Sequence, residues 1–223
     1  MTAPPMPFDL DGAACPVDVR HLVVAGWAGR DRGAVDHHIA ELAELGVPAP
    51  SEVPLYYRVG ADRLTLAPAI QVVGAGTSGE AEAVVISGAD DIYVGVGSDH
   101  TDRDAEAHSV ALAKQACPKP MSAEVWRLSD VEAHWDELKL RAHAWIDGER
   151  VLYQDGGLAE ILPIRDLIDG FGGLAAGTAM FCGTIPTLHG LKPAARFEVS
   201  LEDPVRGRTL SYAYDIEVLP AMA

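Results

Sequence analysis

Two glutamates one residue apart, Glu80 and Glu82, open an apolar segment, and Asp99 ends a second apolar segment. The residues from Glu80 onwards predict a β-strand, in which positions two apart point to the same face. Both glutamates then share a face with Val84 and Ile86, which are typical of a protein core. Two like charges that face an interior are costly unless a cation compensates them. A divalent metal is the simplest compensation, and Asp99 is the natural third ligand.

The predicted ligand atoms of this trio are all carboxylate oxygens. Such a set suits a hard cation, Mg²⁺, Mn²⁺ or Ca²⁺, with water or substrate completing the coordination shell. The alternative is that Glu80 and Glu82 lie on a solvated strand face while Val84 faces another layer. The strand pattern alone favours this alternative.

A second candidate site lies in a helix predicted over residues 34–45. His38 and Glu41 are three residues apart, so they can touch on a helix surface. At about 100° per residue, His38 lies beside the apolar stripe of the helix, whereas His37 falls on the polar side. Glu41 can then fix the tautomer of a His38 that faces a pocket, which is the pairing that a general base needs. The alternative is an ordinary capping or surface histidine, which is favoured when the pair is taken alone.

Cations and polar groups supply further candidates. Arg103 follows Asp99 by four residues and can place a cation beside the predicted metal, to bind a carboxylate or an oxyanion. An apolar segment also ends in Gly183 and Thr184, which offer a backbone N–H and a hydroxyl to a ligand. The alternatives are a solvated Asp–Arg pair and a simple turn, and each is favoured when its motif is taken alone.

The elements that must position these residues are mostly strands. Apolar runs broken by Gly, Pro and Asp-Gly turns predict a mainly β, α+β chain with few helices and without βαβ alternation. Residues 1–20 are predicted to form a loose arm before a single domain over 21–223, and Gly46 and Pro48 end the first helix. We expect strands at 21–26, in several short runs within 53–98, and at 138–145, 149–154, 179–182, 197–201 and 211–219, with helices at 34–45, 105–116 and 158–171.

The composition excludes some functions. The 223 residues carry a formal net charge of −16, which argues against binding nucleic acid. Three scattered cysteines, Cys15, Cys117 and Cys182, lack zinc-site spacing and are expected to be reduced thiols. Neither a signal peptide at the N-terminus nor a membrane span is recognisable, so we expect a cytoplasmic protein.

Taken together and in order, these motifs resemble those of the fumarylacetoacetate hydrolase family. That family carries Asn-Tyr-x-x-His-x-x-Glu, then Glu-x-Glu, Asn-Asp-x-Ser-x-Arg-Asp, a Lys, and Gly-Asp with Thr-Gly-Thr-Pro near the C-terminus. The resemblance covers roughly residues 21–219. The matching segments of this chain are His38-x-x-Glu41, Glu80-Ala-Glu82, Ser98-Asp99 to Arg103-Asp104, Lys114, Gly177-Thr178 and Cys182 to Pro186.

The resemblance implies a role for each matching residue. Glu80, Glu82 and Asp99 take the positions of the metal ligands, and His38 with Glu41 takes that of the dyad that activates water. The helix over 34–46 would then act as a lid over the active site. Lys114 is implied to act in catalysis. The positions implied to contact substrate are those of Arg58, Arg103, Gly183 and Thr184. The implied fold is a compact β-roll with few helices, usually homodimeric.

Several residues depart from the family pattern. Ser98 stands in place of Asn, Asp102 adds a negative charge, Glu106 replaces a usual Gln, and Arg58 replaces a frequent Lys. Glu106 would weaken the binding of an anionic substrate. The substrate of the relatives therefore does not carry over to this chain.

The predicted function is hydrolysis of a carbon–carbon bond in a small anionic acylpyruvate or β-diketo acid, with Mg²⁺ or Mn²⁺. His38, oriented by Glu41, would activate the water, and the metal with Lys114 would stabilise the enolate. One alternative is decarboxylation, isomerisation or dehydration of a keto acid on the same scaffold. Another is a metal- or ligand-binding protein without catalysis.

Overall fold

β-Strands predominate in residues 4–44 and 49–221, which the computed structural model describes. The strands are β1 (Met6–Leu10), β2 (Ala13–Val17), β3 (His21–Gly26), β4 (Leu55–Val59), β5 (Leu64–Thr65), β6 (Ala69–Val73), β7 (Thr77–Ser78), β8 (Ala81–Ser87), β9 (Ile92–Ser98), β10 (Thr101–Asp102), β11 (Lys119–Pro120), β12 (Glu124–Arg127), β13 (Lys139–Ile146), β14 (Glu149–Gly157), β15 (Thr178–Thr184), β16 (Arg196–Asp203) and β17 (Arg208–Leu219). The helices are α1 (Arg32–Glu44), α2 (Arg103–Glu106), α3 (Val110–Ala116), α4 (Leu128–Val131) and α5 (Ile164–Gly170), with 3₁₀ turns at Ala61–Arg63, Glu132–Glu137 and Leu158–Glu160.

Two large sheets contain most of these strands. The eight-stranded sheet has the order β2-β1-β12-β9-β8-β15-β3-β4, and the five-stranded sheet has the order β14-β13-β16-β17-β6. In β16 buried and half-buried residues alternate, as expected for a strand with one face towards the core. Every residue of β8 is buried, because apolar side chains pack on both of its faces. The mainly β, α+β fold predicted from the sequence is confirmed.

The two faces of β8 pack into different cores. Ala83 and Val85 belong to the larger cluster, which also contains Phe197 of the five-stranded sheet. Val84 and Ile86 belong to a smaller cluster on the other side of the sheet. Val84 and Ile86 therefore share one face of a buried strand, as their spacing predicts.

The N-terminal residues differ from the expectation. β1 and β2 pair as an antiparallel hairpin, and β1 also pairs in parallel with β12. Phe8 of β1 is 2% exposed and packs in the smaller core. The prediction of a loose arm is wrong for residues 6–17, because the hairpin buries apolar side chains that carry little periodicity in the sequence.

The predicted helices are partly broken. The first is present as α1, whereas its predicted end at Gly46 and Pro48 lies outside the described residues. The segment 105–116 divides into α2 and α3, because the Ser109 side chain accepts the Leu112 N–H and begins a new helix. The segment 158–171 divides into a 3₁₀ turn and α5, which begins after Pro163.

Candidate metal centre

Strand pairing brings the three predicted metal ligands together. β8 and β9 are antiparallel, with Ala81 opposite Ser98, so Glu80 lies opposite Asp99. The Asp99 N–H donates to the Glu80 carbonyl at 2.9 Å. One oxygen from each of Glu80, Glu82 and Asp99 lies within 4.8 Å of the others. Glu82 and Asp99 are 2% and 0% exposed, so the alternative of a solvated face does not hold for them.

Buried cations surround the carboxylates. Lys114 Nζ donates to Asp99 Oδ2 and lies 4.0 Å from Glu80 Oε2. Lys119 Nζ lies 3.1 Å from Asp99 Oδ1, and Arg103 Nη2 lies 3.1 Å from Glu80 Oε1. Neither of these last two ion pairs has hydrogen-bond geometry, so Asp99 Oδ1 and Arg103 Nη2 are buried without a hydrogen-bond partner among the described residues.

Burial and neighbouring charges move the pKa values of this cluster in opposite directions. Burial alone would raise the pKa of Asp99, but Lys114 and Lys119 lower it to about 2. Burial, with Asp99 and Glu80 nearby, raises the pKa of Glu82 well above its usual value. Burial would lower the pKa of Lys114, yet the adjacent carboxylates raise it, so Lys114 stays cationic. The cluster therefore holds an ionised Asp99 beside a Glu82 whose charge needs a further cation.

The residues of the cluster fit a divalent metal. The donors are carboxylate oxygens, which hard cations such as Mg²⁺ and Mn²⁺ prefer. Asp99 Oδ1 is buried and lacks a hydrogen-bond partner, so it is available as a ligand. By formal charge, four carboxylates and three cations meet here, a balance of one negative charge that a bound cation would compensate: Glu80, Glu82, Asp99 and Glu106 against Arg103, Lys114 and Lys119.

A buried hydrogen-bond network lies behind the predicted metal ligands. Tyr214 Oη of β17 donates to Ser98 Oγ at 2.9 Å, and Ser98 Oγ also accepts the Glu80 N–H at 3.1 Å. His100 Nδ1 lies 3.0 Å from Tyr214 Oη, and its Nε2 lies 2.9 Å from Thr77 Oγ1. Burial and the nearby Lys119 lower the pKa of His100 to about 3, so His100 is neutral. The network fixes the backbone on both sides of Asp99.

Sequence reasoning missed this network and two further buried side chains, Lys119 and Gln154. Gln154 Oε1 accepts the Ala81 N–H at 2.9 Å, and its Nε2 donates to Thr184 Oγ1 at 2.8 Å. Lys119 donates to the backbone carbonyls of Cys117 and His100. The available signal for Gln154 was its position as a polar residue inside a predicted strand, which can indicate a buried hydrogen-bonding side chain. Its partners Ala81 and Thr184 are 73 and 30 residues away along the chain, so a local pattern does not indicate these contacts.

A cavity of about 890 Å³ opens above the carboxylates. Glu80, Glu82 and Lys114 line its inner end, whereas Asp99 lies behind them. The remaining walls come from the end of β3 and the segment after it, from α1, β4, α2 and α3, from the 3₁₀ turn before Ile161, and from the end of β15 and the segment after it. The cavity therefore gives a small molecule access to the predicted metal.

His38 lines this cavity from α1, whereas His37 does not appear in its wall. His38 Nδ1 lies 3.6 Å from Glu41 Oε2, and the His38 ring centroid lies 5.9 Å from that of Trp27. Glu41 is shared, because its other oxygen lies 3.4 Å from His37 Nε2. The His38 side chain is 61% exposed, so solvent reaches it freely in this conformation.

Gly183 and Thr184 reach the cavity but use their polar groups internally. The Gly183 N–H donates to Glu82 Oε2 at 2.8 Å, and the Thr184 hydroxyl donates to the Ala81 carbonyl at 2.8 Å. Gly183 has φ +97°, and a Cβ there would lie 2.8 Å from Ala28 Cβ. The pair therefore orients the Glu82 carboxylate and anchors β15 to β8.

The two predicted arginines are placed differently. Arg103 Nη1 donates to Glu106 Oε2 at 3.0 Å and its Nε donates to Ser78 Oγ at 2.7 Å, which leaves it behind the glutamates. Burial would lower the pKa of Arg103, but the charges of Glu80 and Glu106 outweigh burial and raise the pKa above its usual value. Arg58 lies elsewhere, at the surface, 3.1 Å from His21 Nδ1. The structure does not bring Arg58 to the cavity wall, and its predicted contact with substrate stays a prediction.

Solved structures share this fold. The chain is 21% identical to a proposed fumarylacetoacetate isomerase/hydrolase from Oleispira antarctica, with a TM-score of 0.70 over 94% of this chain and 98% of that one. Fumarylpyruvate hydrolase from Pseudomonas aeruginosa, in complex with Mn²⁺ and pyruvate, is 17% identical with a TM-score of 0.64, over 97% and 98% of the two chains. A 2-keto-3-deoxyarabinonate dehydratase is 15% identical with a TM-score of 0.65, over 92% and 76%. The chain thus shares the fold of these three proteins.

A sequence family can be assigned in addition to the fold. A family model described as "Protein of unknown function (DUF2848)" matches residues 25–214, and the chain belongs to that family. No curated protein matches the chain in sequence. None of the helices in the described part of the chain has both the length and the apolar character of a membrane span.

Proposed function

We propose that the protein is an enzyme that uses Mg²⁺ or Mn²⁺ to hydrolyse a carbon–carbon bond of an acylpyruvate or related β-diketo acid. The observation that carries this proposal is the meeting of Glu80, Glu82 and Lys114 at the inner end of an accessible cavity. Mn²⁺ and pyruvate bound to a fumarylpyruvate hydrolase of the same fold support the choice of metal and substrate class.

The inner residues of the cavity would bind the substrate and hold its charge. A metal held by Glu80, Glu82 and Asp99 would supply Lewis-acid chemistry to the keto and carboxylate oxygens of the substrate. Lys114 is cationic and lies beside Glu80, so it would bind an oxygen of the substrate that gains negative charge. Gly183 would keep Glu82 in its orientation through the backbone N–H.

His38 would act from α1 in the cavity wall as general base. It would accept a proton from a water that attacks the distal carbonyl carbon, while Glu41 orients its ring. The oxygen of that water enters the released carboxylic acid. The electron pair of the broken carbon–carbon bond stays with the pyruvate fragment, which then takes up a proton.

Comparison of His38→Ala with His37→Ala tests this role. Both histidines lie on α1 beside Glu41, but only His38 lines the cavity, so His37→Ala is a matched control. With acetylpyruvate as substrate, we expect His38→Ala to lower kcat by about 10²–10⁴-fold. We expect His37→Ala to stay near the parent rate, and both variants to bind Mn²⁺ normally. Equal rates for the two variants would overturn the role of His38.

A second candidate function keeps the metal and omits the water. His38 is largely exposed, and a dehydratase shares the fold, which favours decarboxylation, isomerisation or dehydration of a keto acid as the alternative. Reaction in ¹⁸O-labelled water separates the two functions. Hydrolysis places one ¹⁸O in the released acetate, whereas the alternative reactions release no such labelled acid.

A further inference from the structure

The wall of the cavity changes character away from the metal ligands. Beyond Glu80, Glu82 and Lys114, much of the lining is apolar and comes from several different segments of the chain. The apolar lining includes Trp27, Val35, Val110, Ile185 and Leu191. A substrate that reaches past the metal therefore meets a surface suited to an uncharged group.

The fixed cations at the wall are already paired. Among the described lining residues these cations are Arg30 and Lys114. Arg30 Nη1 and Nη2 donate to Asp136 at 2.7 and 2.6 Å, and its Nε donates to the Ile161 carbonyl at 2.9 Å. Lys114 is bound to Asp99. Residues 1–3, 45–48 and 222–223 contain neither lysine nor arginine, so they add no further cation.

Carboxylates outnumber these cations at the wall. Asp31, Glu106 and Glu160 line the cavity in addition to Glu80 and Glu82. Backbone contacts hold two of them in place. Asp31 Oδ1 accepts the N–H groups of the first turn of α1 at 2.9 and 3.1 Å, and Glu160 Oε1 accepts the Gly157 N–H at 3.0 Å.

We propose that this cavity selects a keto acid with a single carboxylate and an uncharged tail, and that Asp31 and Glu160 disfavour dicarboxylates. This inference rests on the proposed function, because the single carboxylate must bind at the metal end. There the bound metal would compensate its charge. A second carboxylate would lose water among fixed like charges, without a free cation to pair with it.

The test compares two ligands that differ in one charge. Binding of 2-oxoglutarate and of its 5-methyl ester to the Mn²⁺-loaded protein is measured by titration calorimetry. We expect the ester to bind at least about tenfold more tightly, since like-charge juxtaposition at an interface is strongly unfavourable. The double variant Asp31→Asn/Glu160→Gln keeps the acceptor oxygens and should reduce the ratio to less than about threefold. Glu137→Gln, an exposed residue outside the lining, should leave the ratio unchanged.

Oxalate separates a failure of this inference from a failure of the proposed function. Oxalate needs the metal end alone, so its metal-dependent binding tests the proposed function by itself. If oxalate binds and 2-oxoglutarate binds as tightly as its ester, this inference is overturned and the proposed function stands. If oxalate does not bind to the Mn²⁺-loaded protein, the proposed function and the inference are both overturned.

Discussion

The Glu82 carboxylate is expected to have opposite effects on folding and on metal binding. The side chain is buried with Glu80 and Asp99 nearby, and it accepts a hydrogen bond from the Gly183 N–H. A buried carboxylate in such surroundings costs free energy of folding, whereas the same carboxylate is a strong ligand for a divalent metal. If Glu82 binds the metal as predicted, it lowers the stability of the metal-free protein and raises that of the metal-bound protein.

Glu82→Gln should separate these two effects. Glutamine keeps an oxygen for the Gly183 N–H but removes the charge, so we expect the metal-free variant to be at least as stable as the parent. The increase in Tm that Mn²⁺ gives the parent should be lost. Thermal unfolding with EDTA and with Mn²⁺ measures both quantities, and Glu137→Gln is the control. A variant that is destabilised without metal, yet still stabilised by Mn²⁺, would contradict this account.

The sequence predicted the Glu80, Glu82 and Asp99 cluster because strand periodicity and charge are local properties. Lys119 and Tyr214 stayed unpredicted for a physical reason. Lys119 is buried by contacts with backbone carbonyls, and the Tyr214 hydroxyl meets Ser98 across 116 positions of the chain. Such contacts depend on the packing of two sheets, which a single sequence does not encode in any short pattern.

At the scale of elements, an irregularity in β15 shapes the site. The pairing of β15 with β8 shifts between Phe181 and Thr184, and Gly183 lies within the shift with φ +97°. The shift turns the Gly183 N–H towards Glu82. The Gly183-Thr184 motif was predicted as a ligand-binding strand end, and the structure shows that it holds a predicted metal ligand.

Gly183→Ala should damage both the strand and the metal site. An alanine pays the left-handed backbone cost of about 1–2 kcal/mol, and its Cβ also approaches Ala28 Cβ at 2.8 Å. Gly190→Ala is the matched control, because Gly190 has φ +72° but open space around it. We expect urea unfolding to show a larger loss for Gly183→Ala, with weaker Mn²⁺ binding in that variant alone. Equal losses would show that the close approach to Ala28 is unimportant.

The N-terminal hairpin is an element that sequence patterns did not reveal. The pairing of β1 with β12 joins residues more than a hundred positions apart, which local propensity does not indicate. By contrast, β8 and β9 were predictable because they are long apolar runs. The splitting of the predicted helices also has local causes, Ser109 and Pro163. Hydrophobic periodicity alone does not register these residues, so it predicted continuous helices.

Phe8→Ala tests whether the hairpin is part of the folded core. Phe8 is 2% exposed, so we expect its truncation to cost about 3–5 kcal/mol of unfolding free energy. Val205→Ala, at a side chain that is 54% exposed, should cost little. Urea denaturation measures both values. A loss below about 1 kcal/mol for Phe8→Ala lies outside the range for buried aromatic side chains. Such a result would support the original prediction that these residues form a loose arm.

At the scale of the whole molecule, the net charge of −16 repels anions and attracts cations. The predicted substrate is an anion and the predicted cofactor is a cation, so the same field acts on them with opposite sign. Salt shortens the range of this field from about 30 Å at 0.01 M to about 8 Å at 0.15 M.

Salt should therefore change the two association rates in opposite directions. Between these ionic strengths we expect the association rate of oxalate with the Mn²⁺-loaded protein to rise, and that of Mn²⁺ with the metal-free protein to fall. Stopped-flow measurements of both ligands provide the internal control. A fall for both ligands would mean that local charges, rather than the global charge, govern entry of the anion.

Ser98 Oγ in the eight-stranded sheet accepts hydrogen bonds from the Glu80 N–H and from Tyr214 Oη of the five-stranded sheet, so it links the two sheets. A local opening that frees the backbone at Asp99 must therefore break contacts between the two sheets. The amide protons of residues 98–100 should exchange with solvent only through openings close to global unfolding. The predicted metal ligands would then belong to the most persistent part of the fold, and α1, with its largely exposed surface, to a part that opens more easily.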